Sequence, residues 1–246
     1  MAKKKYLDQS HAGKPDSVRI LAIETGTNVS SVAIFEDGKL LALQENHGNR
    51  THARLITIMI DRLLKDCELE ASDLKAVAVS MGPGSYTGLR VGVSAAKGFC
   101  MALDLHLISV GSLDGLASGV KDFAQAIDAK VCAMIDARRM EVFCQIFDAH
   151  GNAVSAPEAK IIEDDAFQSE LDAGKVIFVG DGAEKCREIL GKHPNATVLG
   201  SRVSSAAALG GIAHRKFLAN EFENLITFEP FYLKNFVATI SKKKIL

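Results

Sequence analysis

Glycines at the carboxyl end of a strand, leading into a helix N-terminus, let main-chain N–H groups reach a phosphate or carboxylate while the helix dipole favours negative charge. One run has that form: Ser80-Met81-Gly82-Pro83-Gly84-Ser85-Tyr86-Thr87-Gly88-Leu89-Arg90-Val91-Gly92. It matches neither common nucleotide motif. Walker A needs Lys and Ser or Thr directly after a Gly five positions on, and the dinucleotide pattern wants Gly at position 87, where there is Thr. Gly82 and Gly84 therefore mark either an anion cradle or a stiff turn.

Two acids could serve the same site. Glu24 and Asp136 each end a β-run, and in a two-lobed nucleotide-binding protein both would face the cleft, where they could hold Mg2+ through water. For Glu24 the alternative is to brace its own hairpin. Arg138 and Arg139, just after Asp136, either contact an anion or a partner or form surface ion pairs. Other chemistry finds little support. His47 and His52 are five apart, which separates two imidazoles on a helix, and no third ligand is spaced to help, so no metal site is expected. No Ser or Cys sits in a G-x-S-x-G elbow. Cys67, Cys100, Cys132, Cys144 and Cys186 contain no C-x-x-C pair and imply buried thiols in a reducing, cytoplasmic setting.

The elements that must position these residues follow from periodicity. Apolar runs at 18–23 and 30–35 flank a polar hairpin turn at 24–28, and Asp37-Gly38 turns the chain into a third strand over 39–45. Helical spacing predicts a helix over 51–65, a strand over 75–80, a helix over 88–103 and a short strand over 107–110. After a helical stretch over 112–127, the opening pattern returns. A strand over 131–135 ends at Asp136 as the first ends at Glu24, and eleven residues after each acid sits a Phe, Phe35 and Phe147. This reads as an internal duplication. Short strands over 176–179 and 197–199 and a helix over 204–220, N-capped by Ser204, complete the chain.

The second helix carries Gly88, Gly92 and Ala96 at every fourth position. A helix-interior glycine costs about 0.8–1.0 kcal/mol relative to alanine, so close approach of another helix is the expected compensation. The first helix is apolar around more of its circumference than one core requires. Together these features point to an intermolecular helix bundle in addition to a core.

Composition narrows the classes. With 246 residues, 48% apolar, 24% charged and mean hydropathy +0.11, the chain can bury one large core or two modest ones. Lys plus Arg is 29 against 30 for Asp plus Glu, net charge -1 and pI ≈ 6.7, so any binding of nucleic acid needs a local patch. No stretch approaches the roughly 20 apolar residues of a spanning helix, and no membrane role is expected. The lack of Trp, with three Tyr, weakens any reading built on aromatic platforms for exposed bases.

The glycine run, together with Ile20-Leu21-Ala22-Ile23-Glu24-Thr25, Met134-Ile135-Asp136-Ala137-Arg138-Arg139-Met140-Glu141-Val142-Phe143 and Pro230-Phe231-Tyr232-Leu233-Lys234, resembles the TsaB (YeaZ) family. These are subunits of the bacterial machinery that makes threonylcarbamoyladenosine at position 37 of tRNA. The resemblance is collinear from about Val18 to Val237. It implies an α/β fold of the actin-like ATPase (ribonuclease H-like) type, with two duplicated lobes and mixed five-stranded sheets, that has lost most of its nucleotide chemistry. It implies a non-catalytic platform that needs no cofactor of its own, ATP and a metal acting in partner subunits. The partners would be a catalytic TsaD-like subunit, joined through the first two helices, and a TsaE-like ATPase. A homodimer would form when the chain is alone, and tRNA would bind only in the context of the complex.

Two departures matter. The H-x-x-x-H metal motif of the catalytic relative is absent, since position 48 is Gly, and Glu24 stands where the family usually has Asp. Carried over by position, the partner interface is expected at Leu55, Ile56, Met59, Ile60, Leu63, Gly88, Val91, Gly92, Ala95 and Ala96, and a vestigial nucleotide or anion site at Glu24, Gly82, Gly84, Asp136, Arg138 and Arg139. Gly92→Leu is expected to leave the monomer folded and abolish association. The expected domains are a flexible basic tail over 1–17 and an N-terminal lobe over 18–110. A C-terminal lobe over 111–236 follows, its 204–220 helix able to pack back on the first lobe, and then a basic tail over 237–246. A sugar- or acetate-kinase-like phosphotransferase is the alternative function, and a zinc metalloprotease a third.

Overall fold

The computed structural model describes residues 17–48 and 52–234; the basic tails expected at the two ends fall almost wholly outside these residues. In the first half lie β1 (Arg19–Glu24), β2 (Ser30–Glu36), β3 (Lys39–Asn46), α1 (His52–Asp66), β4 (Ala76–Gly82), α2 (Tyr86–Leu103) and β5 (His106–Gly111). Next come α3 (Ser112–Ser118), α4 (Lys121–Ile127), β6 (Lys130–Asp136), β7 (Glu141–Phe147) and β8 (Glu158–Ile161). The remainder is α5 (Gln168–Ala173), β9 (Val176–Val179), α6 (Asp181–Lys185), α7 (Arg187–Leu190), β10 (Ala196–Leu199) and α8 (Gly210–Leu218).

The duplication is visible in the pairing. One sheet runs β3-β2-β1-β4-β5 and the other β10-β9-β6-β7-β8, the same order read from opposite edges. In each, the first three strands pair antiparallel and the last two add in parallel. This is the two-lobed α/β actin-like fold. The central strands β1 and β6 are apolar almost throughout because both faces of each sheet are covered.

On one face of the first sheet, Leu21, Ile23, Val32 and Ile34 meet Ile56, Met59, Ile60 and Leu63 of α1 and Val93, Ala96 and Cys100 of α2. The opposite face is covered from far along the chain: Ala206, Leu209 and Ala213 pack on Ile20, Ala22, Phe35 and Ile108. Gly210 lies so close to the Phe35 ring that a Cβ would overlap it. Residues 221–234 continue along the first lobe. Phe222 stacks on His106 with centroids 3.9 Å apart, Phe228 enters the α1–α2 core, and Phe231 N donates to Met81 O at 2.7 Å. The 204–220 segment of the expected second lobe thus packs on the first lobe, as the sequence allowed, and residues 221–234 follow it, so the first lobe is built from two separated stretches.

Three local expectations are corrected. The helical stretch over 112–127 breaks at Gly119 and Val120 into α3 and α4. The expected helix over 204–220 is a 3-10 turn followed by α8. Its cap is Ser205, whose hydroxyl accepts from Ala207 N at 3.1 Å, while the buried Ser204 hydroxyl has no hydrogen-bond partner among the described residues. No helix among the described residues is long and apolar enough to cross a membrane.

Candidate partner interface and interlobe cleft

The glycine run sits at the end of β4, and its glycines are packed closely against the rest of the chain. Ser85 N donates to Gly26 O at 2.7 Å, and a Cβ on Gly84 would collide with that same carbonyl. Gly82, at φ +116, leaves no room for a Cβ against Phe231 O. On the first turns of α2, Gly88 faces Thr25 O and Gly92 faces Thr25 Oγ1, both too close for a side chain, and Thr25 Oγ1 donates to Gly88 O at 2.8 Å. The stripe of small residues exists so that α2 can lie on the first hairpin. Gly88 and Gly92 thus face their own chain where a partner role was expected, and a side chain at Gly92 would run into Thr25, contrary to the expectation that leucine there is tolerated by the monomer.

The two matching acids have opposite surroundings. Glu24 is fully buried, and its Oε1 accepts from Gly26 N at 2.6 Å and Ser80 Oγ at 2.8 Å. Burial raises its pKa above the ordinary carboxylate value, with these hydrogen bonds opposing the shift. It ties the hairpin to β4. Asp136 is exposed; its Oδ1 accepts from Arg138 N at 2.7 Å and pairs with Lys185, whose ammonium also donates to Glu141 O at 2.7 Å. Below it, Asp181 accepts from Asp136 N at 3.0 Å, and burial raises its pKa.

Asp181 and Lys185 escaped notice in the sequence, where Gly180-Asp181-Gly182 shows only as a turn before a short helix. A magnesium–phosphate group does not fit this set of donors: one acid is sealed inside, the other is matched to a lysine, and the glycine loop is packed closely against the rest of the chain. Among the described residues no three His, Cys, Asp or Glu side chains are grouped to hold a metal ion. Arg138 and Arg139 are exposed at the β6–β7 hairpin tip, both at positive φ (70 and 50), and neither forms an ion pair among the described residues.

The α1–α2 layer also departs from expectation. Ile56, Met59, Ile60 and Leu63 are 0–3% exposed and Ala96 is fully buried, so these residues hold their own lobe together, each large side chain contributing about 1.5–3 kcal/mol. The wide apolar arc of α1 has a local cause: the helix packs on the sheet with one flank and on α2 with another. Of the expected interface, Leu55, Val91 and Ala95 remain partly exposed.

Beside them the outer face carries residues that were not among the expected interface: Thr57, Ile58 (42% exposed), Tyr86, Thr87, Arg90, Ser94, Gly98 and Met101 (72% exposed). A shallow groove of about 610 Å³ runs between the helices, with Ile56 and Thr57 on one wall and Thr87, Val91, Ser94 and Ala95 on the other; Tyr86 and Arg90 also line it. Gly98 follows Val91 and Ala95 on the same side of α2, and a Cβ there would meet nothing within 4 Å. Unlike Gly88 and Gly92, it meets no described residue that would require a glycine.

The chain is similar to several known proteins. The family described as TsaD, tRNA N6-adenosine threonylcarbamoyltransferase, matches residues 46–242. The Escherichia coli protein named tRNA threonylcarbamoyladenosine biosynthesis protein TsaB is 30% identical over 227 residues, covering 90% of this chain and 96% of that one. A tRNA N6-adenosine threonylcarbamoyltransferase of Streptococcus equi is 40% identical over 112 residues, covering 39% of this chain and 33% of that one. The solved structure of YeaZ from Pseudomonas aeruginosa superposes with a TM-score of 0.74 at 26% identity, over 88% of this chain and all of that one.

Proposed function

Because this chain belongs to the TsaB family of tRNA threonylcarbamoyladenosine biosynthesis proteins, we propose that it serves that pathway as a docking subunit, joining a catalytic TsaD-type relative through the outer face of α1 and α2. The chain makes no bonds in its own cleft and needs no cofactor of its own; ATP and a metal act in the partner subunits. A TsaE-type ATPase joins the pair, tRNA binds only to the assembly, and the work takes place in the cytoplasm.

One contrast carries the reading. The glycines of the loop that would cradle a phosphate are in close contact with Gly26, Thr25 and Phe231, whereas the groove beside α2 is open, and Gly98 farther along the same side of that helix is a glycine that no described residue requires. A helix of a partner laid along Val91, Ala95 and Gly98 gives that glycine a purpose, since a missing Cβ lets a second backbone approach. In isolation the same face pairs with a second copy of the chain, because exposed apolar surface tends to be covered.

The test is size-exclusion chromatography of the full chain mixed with its catalytic relative. Val91 is half-buried on the outer face, so Val91→Glu is expected to keep the melting temperature within a few degrees and to abolish co-elution. Unchanged co-elution, or phosphoryl transfer by the isolated chain with Mg-ATP, would overturn the reading.

A further inference from the structure

Among the described residues lining the α1–α2 groove, Arg90 is the charged one, and it is held in place. Its guanidinium lies over the Tyr86 ring, 4.3 Å from the centroid, and its Nε donates to Tyr232 Oη at 3.2 Å. The two tyrosine rings are 4.8 Å apart. Tyr232 is brought there by the returning C-terminal strap, fixed at Phe231 N on Met81 O and at Lys97 Nζ on Phe228 O, 3.2 Å. Glu229 on the same strap adds to the field at Arg90 but closes no ion pair with it. One ring face and one nitrogen are thus engaged, and the two terminal nitrogens have no recorded partner among the described residues.

A guanidinium in this state is a rigid fork matched to two carboxylate oxygens. Its rotamer freedom is spent before any partner arrives, which lowers the cost of binding. The other described residues that line the groove are uncharged. A helix covering it removes water from Arg90, and a desolvated cation without a counter-charge is strongly unfavourable.

We propose that the partner helix docking in this groove carries an Asp or Glu opposite Arg90, and that this ion pair, set up by Tyr86 and Tyr232, selects which helix docks. The proposal rests on the docking reading above and adds the chemistry of the partner. A fully apolar helix leaves the guanidinium buried and unmatched, and a basic one repels it; both are rejected.

The test compares Arg90→Ala and Arg90→Glu in the full chain, measuring affinity for the catalytic relative by titration, with Val91→Glu as the control for the surface itself. Arg90 is exposed in the monomer, so both variants are expected to keep the parent's melting profile. Arg90→Ala is expected to weaken binding about 10- to 100-fold, the hot-spot range for a buried arginine anchor. Arg90→Glu is expected to weaken it at least about tenfold further, through like-charge repulsion in a dry site. Equal affinities for the two variants, or both within threefold of the parent while Val91→Glu abolishes binding, would overturn the carboxylate pairing and leave the docking surface standing. Parent-like binding by all three variants would sink the docking surface and the ion pair together.

Discussion

The two lobes share one sheet plan and differ in what covers it. In the first, helices of 15 and 18 residues, α1 and α2, lie side by side and leave a groove on their outer face. In the second, the chain following the three-stranded meander forms helices of only 6, 5 and 4 residues, α5 to α7. The duplicated hairpins diverge in the same manner. Glu24 is drawn inward to brace β1 against β4, while Asp136 stays at the surface, matched to Lys185. A shared fold thus fixes neither chemistry nor docking: the sheets were kept, and what the helices and side chains do was free to change.

The sharpest way to break the comparison is to exchange side chains between the inward and outward glycines of α2. Leu at Gly92 must displace Thr25 and the first hairpin, so Gly92→Leu is expected to cost at least about 3 kcal/mol, the upper range for forced overpacking, or to prevent folding. Thermal melting reads this. The same change at Gly98, where a Cβ meets nothing, is expected to leave the monomer folded and remove partner binding. A stable Gly92→Leu chain would mean that α2 does not need the hairpin.

A smaller effect concerns the buried acid. Because the Glu24 pKa is raised in the folded state, that state holds its proton more tightly than the unfolded chain does. Its contribution is then fully present below the unfolded value and lost as pH rises from about 4.5 through the folded pKa. Glu24→Gln is expected to flatten this part of the stability–pH curve in chemical denaturation, and an unchanged slope would mean that Glu24 is not its source. Smallest of all, Gly98→Ala is expected to stabilise the isolated chain by about 0.8–1.0 kcal/mol, the helix-propensity difference, read from the denaturation midpoint.

Much of the fold was legible. The acid at the end of a strand, with a Phe eleven residues on, occurs twice and marks the β1–β2 and β6–β7 hairpins, and the sheets built on them have matching order. The use of α1 and α2 was less legible, because a wide apolar arc looks the same whether its second neighbour is a helix of its own lobe or of another chain. The glycine stripe misled for a related reason: the atom it accommodates belongs to Thr25, 63 residues away from Gly88. The packing of the 204–220 segment on the first lobe was among the expectations, although its contacts are made by small residues, Ala206, Gly210 and Ala213; the onward path of residues 221–234 along that lobe was not. Asp181 and Lys185 became visible only when β6 and α6 were brought together.

The central claim is that the outer face of α1 and α2 does the work and the cleft does not. Backbone hydrogen exchange of the full chain, alone, with Mg-ATP and with its catalytic relative, measures both at once. The expected result is slowed exchange over 52–66 and 86–103 when the relative is added, with 24–28 and 136–141 unchanged by Mg-ATP. Protection of 24–28 and 136–141 by Mg-ATP, with no change in α1 and α2 on adding the relative, would contradict the account.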